Sequence, residues 1–289
     1  MGWTGRGEFG IKEKWSPRGC GFRETCPRKE QSMKKVLVWA AVLAGACVLA
    51  GCSPKREGTF VLGLDDSFPP MGFRDENHEI VGYDVDLAKE VCQRLGLTLK
   101  LQPIDWNAKE MELNTGNIDC IWNGFTITDE RKEAMTFTPP YLRNAQVLVV
   151  RTDSGIETIP DLAGKKVATQ AGSSGKEAID DSPEFKASLA EVVEVKDYLT
   201  ALMDLESKGV DAVVMDSIVA NDCIRRSGKS CFMILGETLA AEEYGIGFRK
   251  GDTELMEKVW NTLLAMAEDG TVAKIAEKWL GADISIIGQ

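Results

Sequence analysis

Apolar positions recur along residues 59–280 in blocks whose period switches between about two and about 3.6 residues, the periods of strand and helix. Thr59–Leu64 reads as a strand. Positions 84–95 read as a helix: Leu87, Ala88, Val91, Cys92 and Leu95 share one face, Asp84 is able to cap its start and Gly96 to stop it. A strand at 98–104, a short helix near 107–115, a strand at 118–122 and a short helix at 129–135 follow. Further strands are expected at 146–150, 165–169, 192–195, 212–215, 231–235 and 244–248, with helices at 175–180, 197–208 and 217–227. Thr253–Glu268 is a strongly amphipathic helix with Leu255, Val259, Leu263 and Met266 on one stripe, and a last helix covers 271–280. Such alternation argues α/β layers with mostly parallel sheets. In open sheets of that kind ligands bind beyond the carboxyl ends of the strands.

Ahead of this body lies a different pattern. Residues 36–51 form an apolar run of 16, directly after Met33-Lys34-Lys35. A membrane-spanning helix needs roughly 20 residues, so the run fits a signal peptide over 33–51 better than a span. It ends Leu49-Ala50-Gly51-Cys52, which resembles a bacterial lipobox, with Cys52 as the lipidated mature N-terminus. A short uncleaved anchor is the alternative. Residues 1–32 precede a complete signal, which points to Met33 as the true start, or else to a disordered tail. Residues 52–57 read as a tether.

Charge and cysteine usage narrow the partners. Residues 1–51 carry nine Lys/Arg against four Asp/Glu, and the rest 25 against 41, a net of −16 within a chain total of −11. An acidic body repels nucleic acid, which is excluded as a partner. The single histidine, His78, sits in a polar run that reads as a turn, so no metal site is expected, and no cofactor is implied. Cys20, Cys26, Cys47 and Cys52 lie in or before the signal. In the body, Cys223 and Cys231 flank a seven-residue polar stretch that could close a disulfide in an oxidising compartment, although connectivity is not readable from sequence. Cys92 and Cys120 fall at apolar positions and read as buried thiols.

Four stretches carry a resemblance. They are Gly63-Leu64-Asp65-Asp66-Ser67-Phe68-Pro69-Pro70-Met71-Gly72-Phe73 with Gly82-Tyr83-Asp84-Val85-Asp86-Leu87, then Asp119-Cys120-Ile121-Trp122-Asn123-Gly124-Phe125-Thr126-Ile127-Thr128-Asp129-Glu130-Arg131, then Gly209-Val210-Asp211-Ala212-Val213-Val214-Met215-Asp216, and Tyr244-Gly245-Ile246-Gly247-Phe248. In order and spacing these resemble the polar amino acid family of ABC-transporter substrate-binding proteins, over residues 58–285. The resemblance implies a two-lobed, type II periplasmic-binding-protein-like α/β fold. Its lobes would be 58–140 plus 245–285 and 146–239, joined by hinges at 141–145 and 240–244. It implies a free amino acid as ligand, a membrane permease with its ATPase as partner, an extracytoplasmic lipid-anchored location and a monomer.

A free amino acid offers a carboxylate, an ammonium and a side chain. The resemblance assigns the carboxylate to Arg131, with Ser173 and Ser174 in a Gly/Ser loop that opens a helix and presents N–H groups. It assigns the ammonium to Asp216, the Gly124 carbonyl and the Thr126 hydroxyl. The side chain would meet Asp65, Phe68, Trp106, Asn123, Gln170 and Met215, the two aromatics as a sandwich. Asp65 would favour a cation or an amide NH₂ and disfavour acidic ligands, which points to a polar or basic amino acid. Two other readings use the same scaffold: a dehydratase acting on prephenate- or arogenate-like rings, with Asp65 and Glu242 as acid or base, and the sensory domain of a receptor.

Overall fold

The computed structural model describes residues 58–289 and, before them, Gly2. The expected signal segment, the lipidation at Cys52 and the tether lie outside the described residues.

In chain order the elements are β1 (Thr59–Leu64), β2 (Ser67–Phe68), β3 (Gly72–Arg74), β4 (Ile80–Val81), α1 (Tyr83–Leu95), β5 (Thr98–Pro103), α2 (Lys109–Asn114), β6 (Cys120–Thr126), α3 (Asp129–Ala134), β7 (Met135–Phe137) and β8 (Leu142–Arg151). There follow β9 (Lys166–Gln170), α4 (Ser174–Asp180), α5 (Pro183–Ser188), β10 (Glu191–Val195), α6 (Tyr198–Glu206), β11 (Ala212–Asp216), α7 (Ser217–Ser227), β12 (Phe232–Arg249), α8 (Thr253–Glu268) and α9 (Thr271–Leu280).

The main sheet runs β10-β9-β11-β8-β12-β6-β1-β5, with β7 added along β12, and β2-β3-β4 form a small separate sheet. Its two outer portions are parallel: β1 pairs β5 and β6, and β9 pairs β10 and β11. The centre is antiparallel. β12 pairs β8 from Phe232↔Arg151 to Tyr244↔Leu142, then continues along β6 and β7. The two segments expected as crossings, 141–145 and 240–244, are thus laddered to each other, Ala241↔Ala145 and Glu242↔Asn144 among their pairs.

Two expected strands, 231–235 and 244–248, are one 18-residue strand. Residues 236–243 are mostly exposed and the register shifts between Ile234 and Thr238 and again before Ala240. Backbone pairing rather than burial holds this stretch, so it lacks the apolar alternation that marks a strand. The helix expected to be capped by Asp84 instead starts at Gly82 with no side-chain cap. Asp84 is fully buried and points inward, while Gly96 stops the helix in the left-handed conformation as anticipated. Val259, Leu263 and Met266 of α8 are buried, and α8 packs with α1 and α9 beside the sheet.

The four cysteines among the described residues are free. The Cys223–Cys231 bond that the spacing allows is not formed. Cys223 is turned into the core from α7, whereas Cys231 stands partly exposed ahead of β12, beyond the left-handed stop at Gly228. Burial raises the Cys223 thiol to about 12 and the Cys92 thiol to about 11. His78 is a turn residue with φ 63.

Candidate functional site

Eleven of the twelve residues expected around a ligand wall one cleft with about 270 Å³ of empty space, its mouth included. They come from the carboxyl-terminal parts of β6, β9 and β11 and from the segments that follow β1, β5, β6 and β9, in line with the strand-end rule. Met215 is the exception. Alternation along β11 sends Val213 and Met215 into the main core, and it is Asp216, at the end of the strand, that reaches the cleft.

At one end stand Asp65 and Gln170. Gln170 Nε2 donates to Asp65 Oδ2 at 2.7 Å and to the Lys196 carbonyl at 3.0 Å, and Asp65 Oδ1 accepts from the Ser67 N–H at 2.8 Å. Burial outweighs these bonds and pushes the Asp65 carboxyl up to about 6. Asn123 Oδ1 accepts from the Asp65 N–H, while its Nδ2 is buried without a hydrogen-bond partner. Phe68 lies 5.9 Å from the Tyr198 ring, and Trp106 meets Phe125 edge-on at 5.7 Å.

The cation is Arg131, 4% exposed. Thr128 caps α3 by accepting the Arg131 N–H at 3.2 Å. The guanidinium lies over the Phe125 ring at 4.7 Å, donates to the Thr126 carbonyl at 2.9 Å, and meets Glu177 Oε1 of α4 at 2.5 Å. Ser173 caps α4 by accepting the Lys176 N–H, and its hydroxyl donates to the Gln170 carbonyl. Ser174 Oγ shares a 3.0 Å hydrogen bond with Thr126 Oγ1. A guanidinium flanked by hydroxyls and a helix start is suited to a carboxylate.

The anionic wall is larger than the sequence suggested. Asp216 could have served α7 as a cap, yet its side chain makes no cap bond. Its Oδ1 instead accepts from Asn144 Nδ2 at 2.8 Å and from the Tyr244 hydroxyl at 2.7 Å. Burial, and then the charge of Glu242, raise its pKa. Glu242 Oε2 accepts from Thr126, Asn144 and Gln146, each at 3.0 Å. Asn144, Gln146, Glu242 and Tyr244 do not line the cleft but hold its lining residues Asp216, Thr126 and Ser174, and of the four only Glu242 is a sequence candidate, as a catalytic acid or base. Their signal is an i, i+2 pair, Asn144/Gln146 and Glu242/Tyr244, at or beside each of the two segments expected as hinges.

One further buried carboxylate supports the site from behind. Asp84 Oδ2 accepts from the Gly124 N–H at 2.7 Å and from the Tyr141 hydroxyl at 3.0 Å. Gly124 has φ 55, and a Cβ there would stand 2.9 Å from the Phe68 ring, so glycine is required. Burial raises the Asp84 carboxyl to about 7. Among the described residues there is no His/Cys/Asp/Glu cluster fit for a metal.

Residues 60–282 match the model of the bacterial extracellular solute-binding proteins, family 3. The chain belongs to that family. The solute-binding protein is 31% identical over 236 residues to the L-cystine-binding protein TcyJ of Escherichia coli, a match covering 80% of this chain and 86% of that one. It is 30% identical to the arginine-binding extracellular protein ArtP of Bacillus subtilis, over 86% of this chain and 98% of the relative. A substrate-binding protein of an ABC uptake transporter from Streptococcus pneumoniae, solved with bound histidine, superposes with a TM-score of 0.78 at 37% identity, over 79% of this chain and 95% of that one. The two-lobed α/β architecture is that of the solved structural neighbours, and the relatives are binding proteins. Among the described residues no helix is long and apolar enough to cross a membrane.

Proposed function

We propose that this solute-binding protein captures a free polar or basic L-amino acid in the cleft and presents it to the membrane permease of an ABC importer. The observation that carries this is the placement of Arg131 and Asp216 on the same small cleft, one cation and one anion, each buried and each fixed by neighbours. An α-carboxylate pairs with Arg131 and the hydroxyls of Ser173 and Ser174. An α-ammonium sits by Asp216, with the Gly124 carbonyl and Thr126 as further acceptors. The side chain extends toward Asp65 and Gln170 between Phe68 and Trp106. The negative end favours cations and amides, in keeping with a relative named for arginine and a solved structure with bound histidine.

In this reading the lobes are 58–140 plus 245–285 and 146–239, closing about 141–145 and 240–244. The ligand favours the closed form because it touches both lobes. The mature protein is a monomer, anchored outside the cytoplasm by a lipid on Cys52, and it binds without catalysing. Binding rather than catalysis is the role of the relatives, which are named as binding proteins.

The test is a thermal-shift screen of residues 53–289 against the twenty amino acids, ornithine and cystine, after unfolding and refolding to strip any carried ligand. One polar or basic amino acid should raise the melting temperature of the wild type and fail to shift Arg131→Ala. Silence of the refolded wild type toward every amino acid would sink the reading.

A further inference from the structure

Outside the cleft's own walls, one buried cation joins the two lobes. Lys109 opens α2 in the first lobe and is 5% exposed. Its Nζ donates to the Gly172 carbonyl of the second lobe at 2.7 Å, with a weaker contact to the Trp106 carbonyl at 3.4 Å. It stands 5.3 Å from the Trp106 ring. Among the described residues no carboxylate lies within ion-pair distance of it. A buried ammonium served by carbonyls alone is costly. Burial, followed by the positive charge of Arg131, lowers its pKa to about 8. The approach is close: Gly172 has φ 68, and a Cβ there would stand 2.9 Å from Asn107 Oδ1.

We propose that Lys109 is a closure latch, a positioning residue that ties the Gly172 backbone of one lobe to the first lobe and so slows release of a ligand it does not touch. The inference rests on the hinge closure proposed above. When the lobes part, the ammonium is hydrated and the Gly172 carbonyl is freed, so this bond belongs to the closed state alone. A contact present only there lowers the closed state's free energy and acts on dissociation, not on encounter. The ion pair of Arg131 with Glu177 crosses the same boundary, but Arg131 also serves the cleft, whereas Lys109 does not line it.

The test is stopped-flow tryptophan fluorescence on the purified wild type, Lys109→Met and Lys109→Arg, with L-arginine, L-histidine and L-cystine as probes. Lys109→Met is expected to release the bound amino acid ~10-fold faster, about 1.4 kcal/mol, with its association rate within about twofold of wild type. Its ligand-free melting temperature should match wild type, and Lys109→Arg, which keeps a donor, should recover most of the slow release. An unchanged release rate in Lys109→Met overturns the latch while leaving amino acid binding intact. A ligand-free protein that melts several degrees lower overturns it too, because the role would then be structural. A wild type that binds none of the twenty amino acids, ornithine or cystine removes the amino acid reading and the latch together.

Discussion

Asp84 shows how one side chain can serve the site without lining it. Its carboxylate accepts from the Gly124 N–H, which belongs to the cleft, and from the Tyr141 hydroxyl, where β8 is about to begin. Asp84→Ala would leave both donors buried and unpaired, at roughly 1–3 kcal/mol each. We expect a loss of about 3 kcal/mol in urea unfolding, with Asp84→Asn milder because it retains an acceptor oxygen. The sequence placed this residue at a helix start and suggested a cap, a reasonable role for an aspartate there. Nothing local distinguishes a carboxylate that turns outward to cap from one that turns inward, since the partners lie 40 and 57 positions away. Arg131 and Asp216 were legible only through the motifs around them. Met215 was misplaced because strand parity at the cleft depends on where β11 ends.

Among the elements, those with a strong local period were legible almost to the residue. Thr253–Glu268 has the expected bounds, as do β1 and α9. Those held by pairing were not. The short strands β2, β3, β4 and β7 went unseen, and β12 was read as two pieces, because cross-strand hydrogen bonds leave no periodic trace in the chain. Entry into α1 depends on one such non-periodic feature. Gly82 has φ 145, and a Cβ on it would lie 2.2 Å from the Met71 carbonyl oxygen, which is backbone and unable to swing aside. Gly82→Ala should therefore destabilise the protein by about 3 kcal/mol or more. Circular dichroism melts would show this as a large drop in midpoint, and a wild-type midpoint would refute the argument.

Taken as a whole, the molecule keeps protons that an unfolded chain would release. Asp65 and Asp84 have folded pKa values near 6 and 7 against an ordinary 3.8, both because of burial. A raised folded pKa means the native state binds more protons between about 4 and about 7. Their contribution is full below about 4 and is lost as pH rises through the folded values. Asp161, Asp180 and Asp269 shift the other way, and their stabilisation is lost only as pH falls below the ordinary value. Ligand-free protein should thus be more stable at pH 5 than at pH 7.5. Urea midpoints at the two values measure this, and Asp84→Asn should shrink the difference.

Among the described residues, β12 alone joins β8 to β6 and β7. Until it arrives, the main sheet is two unconnected pieces, one ending at β8 and the other at β6. During synthesis, every strand from β1 to β11 can emerge while the strands that carry the cleft still lie in separate pieces. A chain interrupted between residues 217 and 231 would carry Arg131 and Asp216 with no strand joining the two pieces of sheet that hold them. The order in which the chain becomes available, and not only its composition, decides when this protein first becomes able to hold anything.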